Sequence, residues 1–241
     1  MPSYTDFMSC FQRGCLVVVG SIVLASVSSA YVLIDDFTGG YFKATITGQG
    51  NQDNLATELD TNHVFAGHRN TDYIANANVN QMNYVSTFEV GLGEARVITP
   101  GPTDMSTELY INYGTGYFEP MNMDVFGDDR FEVDLETEPA HHFAEVWSIR
   151  VVDGHGKTAT CRQPGLTDTG IRFLKQNFVG QTVDWSDIDE LSFRQSWNAQ
   201  GTAPLAYWAT EIRSVPEPIV WPTLLGLVAI GARGRKRRPR A

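Results

Sequence analysis

The sequence has few cysteines, and their positions leave no partner for a disulfide in the central part of the chain. It contains three cysteines in 241 residues, and Cys10 and Cys15 both lie near the N-terminus. Cys161 is then the only thiol between residues 31 and 214. Because one thiol cannot form an intramolecular disulfide, we expect the fold to depend on a hydrophobic core. About 180 residues are enough to bury one.

Basic residues are also scarce in the same part of the chain. Residues 31–214 contain 11 basic and 26 acidic residues, a formal balance of −15. A surface with that charge repels the phosphates of nucleic acids and anionic lipids. We therefore expect no nucleic acid partner, and the charge favours solubility, cations or neutral partners.

Catalytic signatures are missing as well. None of the five histidines stands in a zinc-binding spacing, and no phosphate-binding loop or G-x-S-x-G motif occurs. The sequence leaves open a catalytic pair of carboxylates for glycoside hydrolysis. Many acidic residues are available, and only the fold decides which two of them lie at the required distance. The sequence predicts a protein that is not an enzyme.

At its N-terminus the chain does contain an apolar stretch, Leu16 to Val27. This stretch has the length of a signal-peptide core and is too short to span a membrane. Arg13 supplies a positive flank, and Ser28 and Ala30 are the small residues of a cleavage site. We predict a signal peptide over 1–30 and export through the secretion machinery. The alternative is an N-terminal anchor that is never cut.

The C-terminus has an apolar run from Ile219 to Ala232, interrupted by Pro222. A helix over this run would be about 21 Å long, against about 30 Å of hydrocarbon, and the proline weakens it further. We predict a short apolar helix that contacts the inner membrane transiently. A basic cluster behind it stops transfer and keeps the end of the chain cytoplasmic. The cluster consists of Arg233, Arg235, Lys236, Arg237, Arg238 and Arg240.

Pro216, Glu217 and Pro218 stand directly before that apolar run. The order of motif, apolar run and basic cluster resembles the PEP-CTERM sorting signal of Gram-negative bacteria, here over residues 215–241. The resemblance implies recognition and cleavage by an exosortase, a membrane-embedded cysteine transpeptidase. It also implies a link to extracellular polysaccharide or biofilm matrix. An ordinary C-terminal membrane anchor is the alternative.

Between the two ends, residues 31–214 alternate apolar and polar side chains with a period of two. Leu109, Ile111 and Tyr113 alternate in one segment, and Trp147 and Ile149 in another. This pattern is typical of strands with one wet face, and no amphipathic helix of three turns occurs. The sequence predicts an all-β, two-sheet antiparallel sandwich, and the number of strands favours a jelly roll.

Turn signals and acidic residues add local expectations. Gly39-Gly40 predicts a hairpin-like turn between the first two strands, and Asp153-Gly-His-Gly156 predicts another hairpin. Acidic residues crowd 119–138. We interpret them mainly as the solvated face of an edge strand.

The segments VLIDDF, GDDRFEVD, VDWSDIDELSF and WATEIR carry a second resemblance. They are similar to jelly-roll domains often found ahead of PEP-CTERM tails, which in turn resemble carbohydrate-binding modules. Such modules often hold a structural calcium near their termini. The resemblance implies the same neighbourhood here, with Asp35, Asp36 and Glu211 as candidate ligands.

Tyr207 and Trp208 point to opposite faces of the last predicted strand, so one of them is expected to be exposed. An exposed aromatic ring grips a sugar by stacking, whereas core packing is the alternative. Three functions remain open. The main hypothesis is an exported cell-envelope or matrix protein with a structural or interaction role at the cell surface. The others are a glycan-binding module of the extracellular polysaccharide and a polysaccharide-active enzyme.

Overall fold

Strands form almost all of the regular structure in the computed structural model of the chain. It describes residues 31–77, 83–99, 105–114, 119–137, 145–164, 170–198 and 205–216. Fourteen strands lie in two antiparallel sheets, and the only helix in these ranges is a single 3-10 turn, Lys175–Asn177. The predicted all-β, two-sheet arrangement is confirmed, and the jelly-roll order stays a prediction.

Within the ranges just given, no helix has the length and apolar character needed to cross a membrane.

The first sheet, sheet A, has seven strands in the order β11-β8-β14-β6-β5-β2, with β1 paired to β14 beside β6. Its strands are β1 Val32–Asp35, β2 Phe42–Thr47, β5 Val85–Gly91, β6 Glu94–Thr99, β8 Asp128–Thr137, β11 Ile171–Leu174 and β14 Leu205–Pro216. The first strand of the described chain therefore pairs with the last.

The second sheet, sheet B, also has seven strands, in the order β12-β10-β9-β13-β7-β4-β3. Its strands are β3 Gly50–Ala56, β4 Arg69–Ala77, β7 Met105–Gly114, β9 Glu145–Asp153, β10 Thr158–Pro164, β12 Val179–Gly180 and β13 Ile188–Asn198. The long strands β4, β7, β13 and β9 lie side by side and form a broad central platform.

The core lies between the two sheets, because the apolar positions of each period-two pattern face inward. Tyr73 of sheet B stacks on Phe88 of sheet A with ring centroids 5.5 Å apart. Phe173 of sheet A meets Phe193 of sheet B edge to face at 6.3 Å. Trp147, expected in the core, is 4% exposed. Burial of these large side chains is the main favourable term that holds the sheets together.

One predicted hairpin is confirmed and one is wrong. Strands β9 and β10 form a hairpin through residues 153–156, and the Asp153 carboxylate accepts hydrogen bonds from the backbone N–H of His155 and Lys157. Gly39-Gly40 does not join a pair of neighbouring strands. Strand β1 pairs with β14 and β2 pairs with β5, so the two strands that flank Gly39-Gly40 have different neighbours in sheet A.

The acidic strand β8 is not an edge strand, which corrects the interpretation of residues 119–138. It lies between β11 and β14, and its residue Glu132 is buried. Strand β14 also runs to Pro216, two residues past the expected domain boundary at 214. Proline has no N–H for the ladder, and Pro216 stands at the strand end, where the register to Asp128 shifts.

Candidate functional site

The outer face of sheet B is built by alternation along its central strands. On β7, Leu109 and Ile111 are buried, so Glu108 and Tyr110 lie on the opposite face and are partly exposed. On β4 and β13 the same alternation puts the side chains of Asp72 and Arg194 outward. Most outward residues are polar and most inward ones are apolar, as expected for a sheet with one solvated side.

Cross-strand register brings three of these residues into one row. Asp72 of β4 pairs with Tyr110 of β7, and Tyr110 pairs with Arg194 of β13. The guanidinium carbon of Arg194 lies 5.3 Å from the centroid of the Tyr110 ring, a cation–π contact. An aromatic ring is therefore flanked on one side by a carboxylate and on the other by a guanidinium. We call this set the Tyr110 row.

Glu108 connects the ring and the guanidinium. The Tyr110 hydroxyl donates a hydrogen bond to Glu108 Oε2 at 2.5 Å, and Arg194 Nη2 lies 3.0 Å from the same oxygen. Burial, and after it the hydrogen bond to Glu108, raise the pKa of Tyr110. The hydroxyl therefore remains protonated at neutral pH and stays a donor.

Asp72 lies in a negative environment. Asp53 of the edge strand β3 is its cross-strand partner, and no ion pair to either carboxylate occurs within the described ranges. Burial raises the pKa of Asp72, and the charges of Asp53 and Glu108 raise it further. Asp72 Oδ1 is enclosed and accepts no hydrogen bond from the described residues. Like charges directly opposite each other on a sheet reduce its stability.

The row next to it continues the polar surface. Asn112 pairs with Ser192, and the Ser192 hydroxyl donates a hydrogen bond to the Asn112 side-chain oxygen. Further along that row, Arg150 lies 3.3 Å from Glu190. Together with the Tyr110 row, these side chains offer one ring for stacking and several donors and acceptors at fixed positions. That combination suits a neutral, hydroxyl-rich ligand.

The outer face of sheet A also carries charges, and a central group of them is paired internally. Arg213 of β14 bonds to Glu211 at 2.7 Å and to Glu132 at 2.9 Å, and it also contacts Asp134. Arg130 reaches the second oxygen of Glu132 at 2.6 Å. Although burial disfavours its charge, these guanidinium contacts lower the pKa of Glu132. The arrangement is a closed ion-pair network that leaves little capacity for a ligand.

The expected calcium ligands are not gathered into one site. The buried carboxylate of Asp35 accepts hydrogen bonds from Arg69 and Tyr113, each at 2.7 Å, and so ties β1 to sheet B. Asp36 lies 2.6 Å from His63, and Glu211 belongs to the Arg213 network. Across the described ranges, no group of three or more His, Cys, Asp or Glu residues is arranged to hold a metal ion. The carboxylates of Asp35 and Glu211 instead accept hydrogen bonds from the guanidinium groups of Arg69 and Arg213.

Other residues named from the sequence lie partly or wholly outside the described set. Tyr207 pairs in register with Val97 and Trp208 with Arg96, but the side chains of both aromatics are outside it. Pro216 is the last residue of β14. The remaining sorting and cleavage residues also lie outside the described ranges: Ser28, Ala30, Glu217, Pro218 and the basic cluster at 233–240.

Sequence reasoning missed the Tyr110 row. One signal was present, because the alternation of Leu109, Ile111 and Tyr113 already implied that Tyr110 faces the other way. Its partners Asp72 and Arg194 could not be found from the sequence. They come from strands far apart in the chain, and only the cross-strand register brings them together.

No family model matches the sequence, and no curated protein does. Several solved structures are similar in part. The family 11 carbohydrate-binding module of the cellulosomal cellulase Lic26A-Cel5E of Clostridium thermocellum has 12% identity and a TM-score of 0.37, over 78% of this chain and 96% of that one. The solution structure of CtCBM11 has 11% identity and a TM-score of 0.40, over 80% and 99%.

An agarase, AgWH50C, has 11% identity and a TM-score of 0.37, over 55% of this chain and 22% of that one. With TM-scores of 0.40 or less, these likenesses carry no part of the functional inference. That inference is based on the side chains of sheet B.

Proposed function

We propose that the protein binds a glycan on the outer face of sheet B, at the Tyr110 row. The observation that carries this proposal is the in-register alignment of Asp72, Tyr110 and Arg194. A sugar ring offers an apolar C–H face and hydroxyls that both donate and accept hydrogen bonds. An aromatic ring with an acceptor on one side and a donor on the other complements those groups.

Unused hydrogen-bonding atoms on both sides of the ring support the proposal. Asp72 Oδ1 is an acceptor, and Arg194 Nε is a donor, and neither has a hydrogen-bond partner among the described residues. Buried polar atoms are nearly always paired, and an unpaired one costs about 1–3 kcal/mol. Two such atoms beside one partly exposed ring are typical of a site in which a bound ligand, or water in its absence, supplies the missing hydrogen-bond partners.

A glycan array with the full 241-residue chain tests the proposal. We expect retention of one or more glycans by the wild type and a loss of about tenfold or more with Tyr110→Ala, because the stacking surface disappears. Tyr41→Ala is the matched control. Tyr41 is 58% exposed, and its hydroxyl also bonds to a glutamate, Glu89, but it lies beside β2 of sheet A.

Two results would contradict the proposal. One is a wild-type chain that retains no glycan on the array. The other is an equal loss with Tyr41→Ala and Tyr110→Ala, which would assign the binding to exposed tyrosines in general.

The proposed activity is binding without turnover. The support is the absence of a catalytic motif in the sequence. Incubation of the wild type with the glycan that it retains should release no new reducing ends. Steady release of reducing ends would favour the polysaccharide-active enzyme instead.

We also propose that both ends of the chain direct it to the cell surface. The supports are the small residues Ser28 and Ala30 behind a short apolar stretch, and Pro216-Glu217-Pro218 ahead of another. A signal peptide over 1–30 would lead to export, and an exosortase would remove the C-terminal anchor after transient contact with the inner membrane. Mass spectrometry of surface-localised protein should lack peptides from 224–241. Recovery of those peptides at full stoichiometry would make the tail a lasting anchor.

A further inference from the structure

Glu108 lies beside the Tyr110 row, at the neighbouring same-face position of β7, and one of its oxygens contacts two members of the row. Glu108 and Tyr110 are two apart on β7 and thus share a face of the sheet. Glu108 Oε2 accepts the hydrogen bond of the Tyr110 hydroxyl at 2.5 Å and lies 3.0 Å from Arg194 Nη2. Since Arg194 also lies over the Tyr110 ring, the three side chains form a closed triangle.

The triangle restrains groups that would otherwise rotate. A partly exposed tyrosine and an arginine each have several rotamers, and ordering them upon binding lowers affinity. A carboxylate that holds both in the free protein removes much of that cost. The contact also occupies the Tyr110 hydroxyl, so the ring and not the hydroxyl meets a ligand.

We propose that Glu108 is the positioning residue of the glycan site, acting through Tyr110 and Arg194 and not by touching the ligand. This inference rests on the proposed function of the Tyr110 row. It predicts that the effects of Glu108 and of the Tyr110 hydroxyl on affinity are not independent. The charged groups that face the Tyr110 hydroxyl are Glu108, Arg194 and Asp72.

A double-mutant cycle in the full chain tests this coupling. We expect Glu108→Ala to weaken binding of the retained glycan about tenfold, and Tyr110→Phe, which keeps the ring, to weaken it several-fold. The double variant should be no weaker than Glu108→Ala alone. Glu108→Gln keeps an acceptor for the hydroxyl and should restore part of the affinity. Additive losses, or wild-type affinity in Glu108→Ala, would overturn the inference.

A second readout does not depend on any glycan. Glu108 contributes to the raised pKa of Tyr110, so ultraviolet titration should show one tyrosine ionising at lower pH in Glu108→Ala. Tyr110→Phe identifies that tyrosine by its disappearance. The matched control is Glu89→Ala, which removes the equivalent partner of Tyr41 and should leave glycan affinity unchanged.

The outcomes separate the two proposals. If Tyr110→Ala abolishes binding while Glu108→Ala changes neither affinity nor the tyrosine titration, the positioning role is wrong and glycan binding stands. If the titration shifts but Tyr110→Ala leaves binding intact, the triangle exists and the glycan site does not lie there. An unshifted titration contradicts the positioning role whatever the binding result.

Discussion

The outer faces of the two sheets carry similar side chains but use them differently. On sheet A, Arg213 is bonded to Glu132, Asp134 and Glu211, and Arg130 is bonded to Glu132, so these charges pair with one another. On sheet B, Glu108 is shared by Tyr110 and Arg194, while Asp72 lies opposite another acid. The Arg213 network of sheet A pairs its own charges, whereas the Tyr110 row of sheet B keeps hydrogen-bonding capacity beside an aromatic ring.

The difference separates a structural surface from a binding surface. A closed ion-pair network is already satisfied, so a ligand would have to break it. At the Tyr110 row, Asp72 lies opposite the like-charged Asp53, and two polar atoms have no partner in the described residues; both features lower stability. Binding surfaces often have such features, because groups arranged for a ligand are not arranged for the fold. Opposite responses to charge removal on the two faces are therefore expected.

Arg213→Met should give the largest change and should act on stability alone. It leaves the buried Glu132 with fewer donors, and breaking one partner of a buried pair costs about 3–5 kcal/mol. Part of Arg213 reaches solvent, so we expect about 2–3 kcal/mol in urea unfolding. Glycan affinity should not change.

Arg150→Met is the control for that variant. Arg150 is half exposed and has one glutamate partner at 3.3 Å, so its loss should cost less than about 1 kcal/mol. Equal losses of stability in the two variants would mean that the Arg213 network stabilises the fold no more than a single exposed ion pair does.

Acid should weaken the sheet A network over a defined range of pH. The pKa of Glu132 is lowered in the folded protein, so its contribution is complete above its ordinary value of 4.5 and is lost as pH falls through the lower folded value. Urea unfolding below pH 4.5 should therefore show a steeper loss of stability in the wild type than in Arg213→Met. Parallel pH profiles for the two proteins would show that Glu132 is not held by Arg213.

Asp72→Asn should have the smallest effect and the opposite sign. The pKa of Asp72 is raised from 3.8, so its ionisation begins to disfavour the folded state as pH rises above 3.8, and the penalty is complete above the raised value. An amide there should add a few tenths of a kcal/mol at pH 7, the size expected for a like-charge pair on a sheet. The gain should vanish below pH 3.8, and glycan affinity should fall. If Asp72→Asn were destabilised, charge removal would have the same sign on both sheets, which would contradict the expected opposite responses.

The sequence was sufficient to predict which segments form strands but not which strands pair with each other. Alternation at residues 109–113 and 147–151 predicted strands with one wet face, and the structure has them as β7 and β9. The pairing of β1 with β14 has no local signal, because it joins the two ends of the described chain. The expectation of a hairpin at Gly39-Gly40 failed for that reason.

The candidate site depends on register to a still greater degree. Period-two patterning shows that Tyr110 faces outward, yet it does not reveal that Asp72 and Arg194 flank it. Period-two patterning also did not reveal that Arg69 donates a hydrogen bond to the carboxylate of Asp35, one of the expected calcium ligands. Composition and periodicity describe one strand at a time. The residues of a site come from several strands, and only strand order and register bring them together.

The most direct test of the central claim is a titration of the full chain with a retained glycan, followed through the side-chain Nε–H signals of its arginines by NMR. The signals of Arg194 and Arg213 are assigned with Arg194→Lys and Arg213→Lys. If sheet B is the binding face, the Arg194 signal shifts in proportion to bound glycan, and the Arg213 signal stays in place. A shift of Arg213 with an unchanged Arg194 would assign the glycan to the other face and contradict the account.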